Sequence, residues 1–226
     1  MGVISMLRRH LGLSLSLSLL IGLLFPIFIS TPAAKAEEKD LVKCRQIKSV
    51  TQTPKKVTPP TTLLKRGPRL ITLQTNCGNI EIKTFFRDAP VTLTVLATLM
   101  NAGYYNRTSC HRLTTDGIYV VQCGDPTATG MGDPGFRYKD ENLPKAEEEN
   151  YPRGTVAMAN SGSPGTNGSQ FFLVYNDTTL GPNYTIWGEI TSGIEILEHI
   201  AKAGVKGGGA DGTPLRNLVI QRVVVR

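Results

Sequence analysis

The chain has 226 residues and a formal net charge of +7, a length that suits one domain with accessory segments. Much of the basic excess sits at Lys39, Lys43, Arg45, Lys48, Lys55, Lys56, Lys65 and Arg66. No aromatic residues interleave with these charges, so nucleic-acid binding has little support, and no C-x-x-C pair points to a zinc or redox site.

The first element is a leader. Arg8, Arg9 and His10 precede an apolar run from Leu11 to Ile29 that is broken by Ser14, Ser16, Ser18 and Pro26, and Ala34-Lys35-Ala36 supplies a small-residue cleavage site. This pattern predicts a signal peptide over 1–36, cleaved after Ala36, and therefore an exported protein. The alternative is a retained membrane anchor, because the run lies near the lower limit of about 17 residues for a span. Residues 37–68, with Pro54, Pro59, Pro60 and Pro68 among threonines and lysines, read as a linker that cannot bury enough apolar surface to order itself. Such a basic stretch can associate loosely with an anionic envelope surface; its default role is a solvated tether.

From Leu70 the pattern changes. Leu70–Thr75 and Ile80–Phe86 flank Asn76-Cys77-Gly78-Asn79 as a β-hairpin. Asp88 and Pro90 open a helix with Val91, Val95 and Leu99 on one face, stopped at Gly103. Short β runs follow at 118–122, 155–159, 170–175 and 184–190. Ser192-Gly193-Ile194-Glu195 then reads as a capping box for a second helix that ends at Gly204, and 217–225 is a final strand. Many short strands with two helices predict a mainly β fold, an antiparallel barrel or sandwich.

Several chemical motifs fail on context. Gly130-Met131-Gly132-Asp133-Pro134-Gly135 spells G-x-G-x-x-G, but Pro126 precedes it and Pro134 and Pro144 discourage the helix that a dinucleotide site needs. Gly207-Gly208-Gly209 lacks the Lys-Ser/Thr of a phosphate loop and reads as a flexible turn. No serine sits in G-x-S-x-G, and outside the leader only His111 and His199 could serve a triad.

Two dense segments remain. One runs Cys110-His111-Arg112-Leu113 and, after a loop, Tyr119-Val120-Val121-Gln122-Cys123-Gly124-Asp125. The other runs Val156-Ala157-Met158-Ala159-Asn160-Ser161-Gly162 and then Thr166-Asn167-Gly168-Ser169-Gln170-Phe171-Phe172. Together they resemble the two signature stretches of the cyclophilin family, and the likeness extends over residues 70–226. The wording around Cys110 and Cys123 is most similar to the actinobacterial branch.

The resemblance implies a closed antiparallel eight-stranded barrel capped by two α-helices and peptidyl-prolyl isomerase activity without cofactor or metal. It implies proline-containing polypeptides as substrates, and a monomer in the bacterial cell envelope or outside the cell is the expectation. The reaction needs no nucleophile. It lowers an amide rotation barrier of about 18–20 kcal/mol, for which an apolar slot and a fixed donor suffice. By similarity Arg112 is the catalytic donor and Gln122 orients it. Phe172, Tyr119, Val120, Leu180 and Tyr184 would line the proline pocket. Asn160 would clamp the preceding residue, with Ala159, Ser161 and Gln170 along the groove. Phe171 and Met158 are expected in the core, since alternation turns them away from Phe172. Thr179 and Tyr184 stand where many relatives carry tryptophan and histidine. A scaffold that binds such segments without turnover is the alternative.

Four cysteines lie outside the leader, and an even count in an oxidising compartment permits two disulfides in any of three connectivities. If Arg112 faces Val121 across a hairpin centred on Thr115-Asp116, the same register sets Cys110 opposite Cys123 and leaves Cys44 to Cys77. Four unpaired thiols are the alternative.

Overall fold

A computed structural model describes residues 42–226, so the predicted leader and its anchor alternative lie outside the described residues. The first hairpin joins β1 (Leu70–Thr75) to β2 (Gly78–Thr84), with Leu70 opposite Lys83 and Thr75 opposite Gly78. Next come α1 (Pro90–Asn101), β3 (Thr108–Ser109), β4 (Arg112–Thr114) and β5 (Val120–Cys123). β6 (Thr155–Met158), β7 (Phe171–Val174) and β8 (Ile186–Ser192) lead to α2 (Ile194–Ala203), β9 (Asp211–Gly212) and β10 (Val219–Val225).

The strands form one antiparallel sheet in the order β3-β10-β1-β2-β8-β6-β7-β5-β4-β9. Among the described residues the sheet has ten strands where the resemblance implies eight; β3 and β9 are only two residues long. Among the described residues no ladder joins β3 to β9.

Both helix starts differ from the sequence reading. The N-cap of α1 is Ala89, which makes no side-chain capping bond. Glu141 serves instead: Thr92 N–H donates to its Oε1 at 2.5 Å and Val91 N–H to its Oε2 at 3.3 Å. A distant carboxylate thus meets the exposed amides at the positive end of the helix. At α2 no capping box forms, because Ser192 is the last residue of β8. The N-cap is Gly193 at φ 88°, where a side chain would also collide with the Asn79 carbonyl. Only glycine fits there.

The main core lies between the sheet and the helices. It includes Ile71, Ile80, Ile82, Leu93, Leu96, Leu99, Leu173, Leu197 and Ile200. Through it runs an aromatic chain, Tyr104–Tyr105–Phe171–Trp187, with successive ring centroids 5.4, 5.7 and 5.8 Å apart and edge-on.

Residues 42–68 contain no helix or strand, yet they are not a free tether. A disulfide ties Cys44 to Cys77 in the β1–β2 turn. Arg45 N–H donates to Asn76 O at 2.9 Å, Val50 N–H to Ser109 Oγ at 2.8 Å and Gln52 N–H to Pro126 O at 2.8 Å. Further along, Leu64 N–H reaches Thr94 Oγ1 on α1 at 3.1 Å. Val42, Cys44 and Val57 pack against the core. This strap explains why residues on nearly every face of α1 are buried, where the sequence predicts one apolar face. Composition shows that the segment has no core of its own. It does not show that the segment borrows one.

Candidate active site

Where β5, β7 and β6 lie side by side, their residues divide by alternation between two faces. Val121, Cys123, Phe171, Leu173, Val156 and Met158 face the main core. Val120, Phe172, Val174 and Ala157 face the other way and, with Tyr151, form a second apolar cluster edged by Ala159, Leu180 and Tyr184. The rings of Phe172, Tyr184 and Tyr151 meet edge-on, 5.5 Å, 6.0 Å and 6.1 Å apart, and fix the shape of this patch.

The polar half of the site starts at Arg112 on β4, which stands opposite Gln122 on β5. Arg112 Nη1 donates to Gln122 Oε1 at 3.2 Å. Because guanidinium has only donors, this contact fixes the orientation of the next amide. Gln122 must present Nε2 to Gln170 Oε1 (2.8 Å), and Gln170 Nε2 then donates to the carbonyls of Gly130 and Gly132, both at 2.9 Å. Asp125 holds the same glycines from behind, since Gly130 and Gly132 donate to its Oδ2 at 2.7 and 3.1 Å. The glycine-rich motif is therefore a groove wall, not a nucleotide loop.

These groups enclose a cleft of about 500 Å³ lined by Arg112, Val120, Gln122, Phe172, Leu180 and Tyr184. An adjoining hollow of about 390 Å³ shares Gln122, Ala159 and Asn160 with it and adds Ser161 and Gln170. Ten of the eleven site residues named from sequence therefore line one continuous groove. Tyr119 does not. It lies against Tyr175, ring centroids 5.9 Å apart, and Ile118 lines the cleft instead. The reason is alternation: 118, 120 and 122 share a face, and 119 turns to the other. Asp211, Gly212 and Thr213 also line the cleft, and nothing in the sequence signals them. Thr179 accepts a bond from Glu149 N–H at 2.8 Å.

Two disulfides are present, Cys44–Cys77 and Cys110–Cys123. The second braces the strands that carry Arg112 and Gln122. The pairing matches the expectation, but the register behind it is one residue off, since Arg112 faces Gln122 rather than Val121.

Titration is set by burial and hydrogen bonds. Burial alone would raise Asp125, but bonds from Thr127, Gly132 and Gly130 overcome it and hold this carboxyl below its ordinary value. His111 is buried, and burial keeps its pKa below the ordinary 6.5, although Asp125 and the Gln170 side chain pull the other way. Above pH 6.5 the histidine is neutral in both folded and unfolded chains. Below that pH the unfolded chain takes up a proton that the folded chain resists, so stability falls until the folded pKa is passed. The urea midpoint should therefore drop between pH 7 and pH 5, and His111→Gln should flatten that drop. An equal drop in both proteins would remove His111 as its source.

The profile of the cyclophilin type peptidyl-prolyl cis-trans isomerase family matches residues 70–225. The chain belongs to this family. As a cyclophilin it is 42% identical over 194 residues to the probable peptidyl-prolyl cis-trans isomerase B of Mycobacterium leprae, covering 80% of this chain and 65% of that protein. The Mycobacterium tuberculosis protein of the same name is 44% identical over 166 residues, covering 69% and 54%. The actinobacterial likeness seen in the cysteine-containing motifs agrees with these cyclophilins. The chain spans between about half and two thirds of their length. A cyclophilin type isomerase from Cryptosporidium parvum, solved in the presence of the dipeptide Ala-Pro, superposes with a TM-score of 0.60 at 28% identity, over 70% of this chain and 98% of that one.

Proposed function

We propose that the chain catalyses cis/trans rotation of X-Pro bonds in exported polypeptides, without covalent chemistry. The observation that carries this reading is a fixed guanidinium at the rim of an apolar cleft: Arg112, bonded to Gln122, beside Phe172, Leu180 and Tyr184. The ring of proline suits the apolar wall. The amide that must twist then lies within reach of a permanent positive donor, which opposes return of the nitrogen lone pair to the carbonyl. Asn160 is suited to clamp the residue before proline, because its side chain is engaged by Asn183 O (2.8 Å) and Gly162 N–H (3.0 Å) and holds the backbone turn there.

Export is supported by the leader pattern and by two disulfides, which persist in oxidising compartments. Clients there are secreted chains whose folding waits on proline. The exposed Lys43, Lys48, Lys55 and Lys56 of the strap suit loose association with an anionic envelope, and a monomer suffices for every contact described. The same reading takes β3 and β4 as one bent strand that closes the barrel, since Cys110 N–H bonds Leu218 O next to β10 and His111 N–H bonds Gln122 O on β5.

The purified chain should accelerate cis-to-trans conversion of an X-Pro peptide and a proline-limited refolding phase, with no added metal, nucleotide or reductant. Binding of such peptides without faster exchange would instead make it a non-catalytic module.

A further inference from the structure

Arg112 carries five N–H donors, and their allocation is uneven. Nε and Nη2 donate to the two carboxylate oxygens of Asp211, both at 2.7 Å, and Nη1 donates to Gln122 Oε1 at 3.2 Å. Two donors remain, one on Nη1 and one on Nη2. Asp211 comes from β9, 99 residues further along the chain. Leu113 faces Gly212 and Thr114 faces Asp211 in the β4–β9 ladder, so Arg112 and Asp211 are diagonal neighbours on one face. That separation is within reach of a long side chain. Backbone bonds pin the loop around it: Thr115 N–H to Ala210 O and Lys206 N–H to Thr213 O, both 2.8 Å.

We propose that Asp211 is a positioning residue for the isomerase reaction, holding the Nε–Nη2 edge of Arg112 so that the remaining Nη donors alone meet the substrate. The proposal rests on the isomerase reading above. The Arg112 side chain is 38% exposed. A single bond to Gln122 leaves the guanidinium plane able to swing, whereas a two-oxygen clamp fixes it. The carboxylate weakens the field at the substrate, but a donor aimed at the twisting amide contributes more than an unaimed charge. The ion pair also perturbs both partners: the bond from Arg112 holds Asp211 below its ordinary pKa, and Asp211 raises Arg112.

The test combines kinetics with NMR of the full chain. Asp211→Ala should lose about tenfold in kcat with KM within about twofold, the loss expected when alignment rather than binding is removed. Asp211→Glu, which keeps a carboxylate, should recover most of that loss, and Asp211→Asn should fall between. The Arg112 Nε–H signal should exchange slowly in the wild type and quickly in Asp211→Ala. Wild-type kcat in Asp211→Ala, a loss confined to KM, or no recovery in Asp211→Glu would overturn the proposal. An inactive wild type would sink the isomerase reading instead. The Nε–H signal would still decide whether Asp211 holds the arginine.

Discussion

Replacing Arg112 by alanine should lower kcat/KM for an X-Pro peptide by about a hundredfold or more, the usual cost of removing a donor aimed at the transition state. The fold should survive. Arg112 is half-exposed, and the groups it leaves behind, Asp211 and Gln122, can both reach water. Exposed ion pairs contribute only about 0.2–1 kcal/mol, so the melting temperature should move little. Arg112→Lys should be intermediate in activity, because one ammonium cannot serve Asp211, Gln122 and a substrate carbonyl from one rigid fork. Coupled peptide-cleavage kinetics beside circular dichroism measure both effects. Equal turnover in wild type and Arg112→Ala would remove the mechanism.

The second large effect is on stability. Cys44 and Cys77 are 33 residues apart, and closing a loop of that size removes about 3–4 kcal/mol of denatured-state entropy in the chain-entropy account. The double variant Cys44→Ser/Cys77→Ser should therefore melt about 10 °C lower, at about 2–4 °C per kcal/mol for a chain of this size. The strap should loosen before the sheet does. Its backbone bonds to Asn76, Ser109 and Pro126 are few and mostly at the surface, so limited proteolysis should cut within 45–68 at temperatures where the wild type resists. A variant that melts within 2 °C of wild type and resists the protease would show that the strap holds without its bridge.

The sequence makes parts of this molecule legible because local signals and tertiary demands agree there. The β1–β2 hairpin, the body of α1, the Gly204 stop of α2 and the last strand all lie within a few residues of their predicted limits. Phe171 and Met158 occupy the main core and Phe172 the groove, as alternation requires. What was hidden depends on contacts distant in sequence. Glu141 caps α1 from 50 residues away, and Asp211 reaches Arg112 from 99. Neither leaves a trace in composition or spacing. Tyr119 shows a different failure: the resemblance puts both Tyr119 and Val120 in the pocket, but alternation turns only one of two successive residues toward the cleft. At Ser192 a helix-start motif yields to strand pairing with Glu81, and a left-handed glycine does the capping residue's work.

The strap also has a mechanical meaning. A load applied to the chain ahead of Cys44 does not have to peel residues 45–68 off the surface. It crosses the Cys44–Cys77 bridge and enters the sheet at the β1–β2 turn, leaving the intervening loop slack. β1 is flanked by β2 and β10 on its two sides, so the pull lands on an interior strand rather than on a frayed edge. A protein tethered from its N-terminal side would thus carry tension through one covalent link, with its groove strands β5, β6 and β7 on the unloaded part of the sheet.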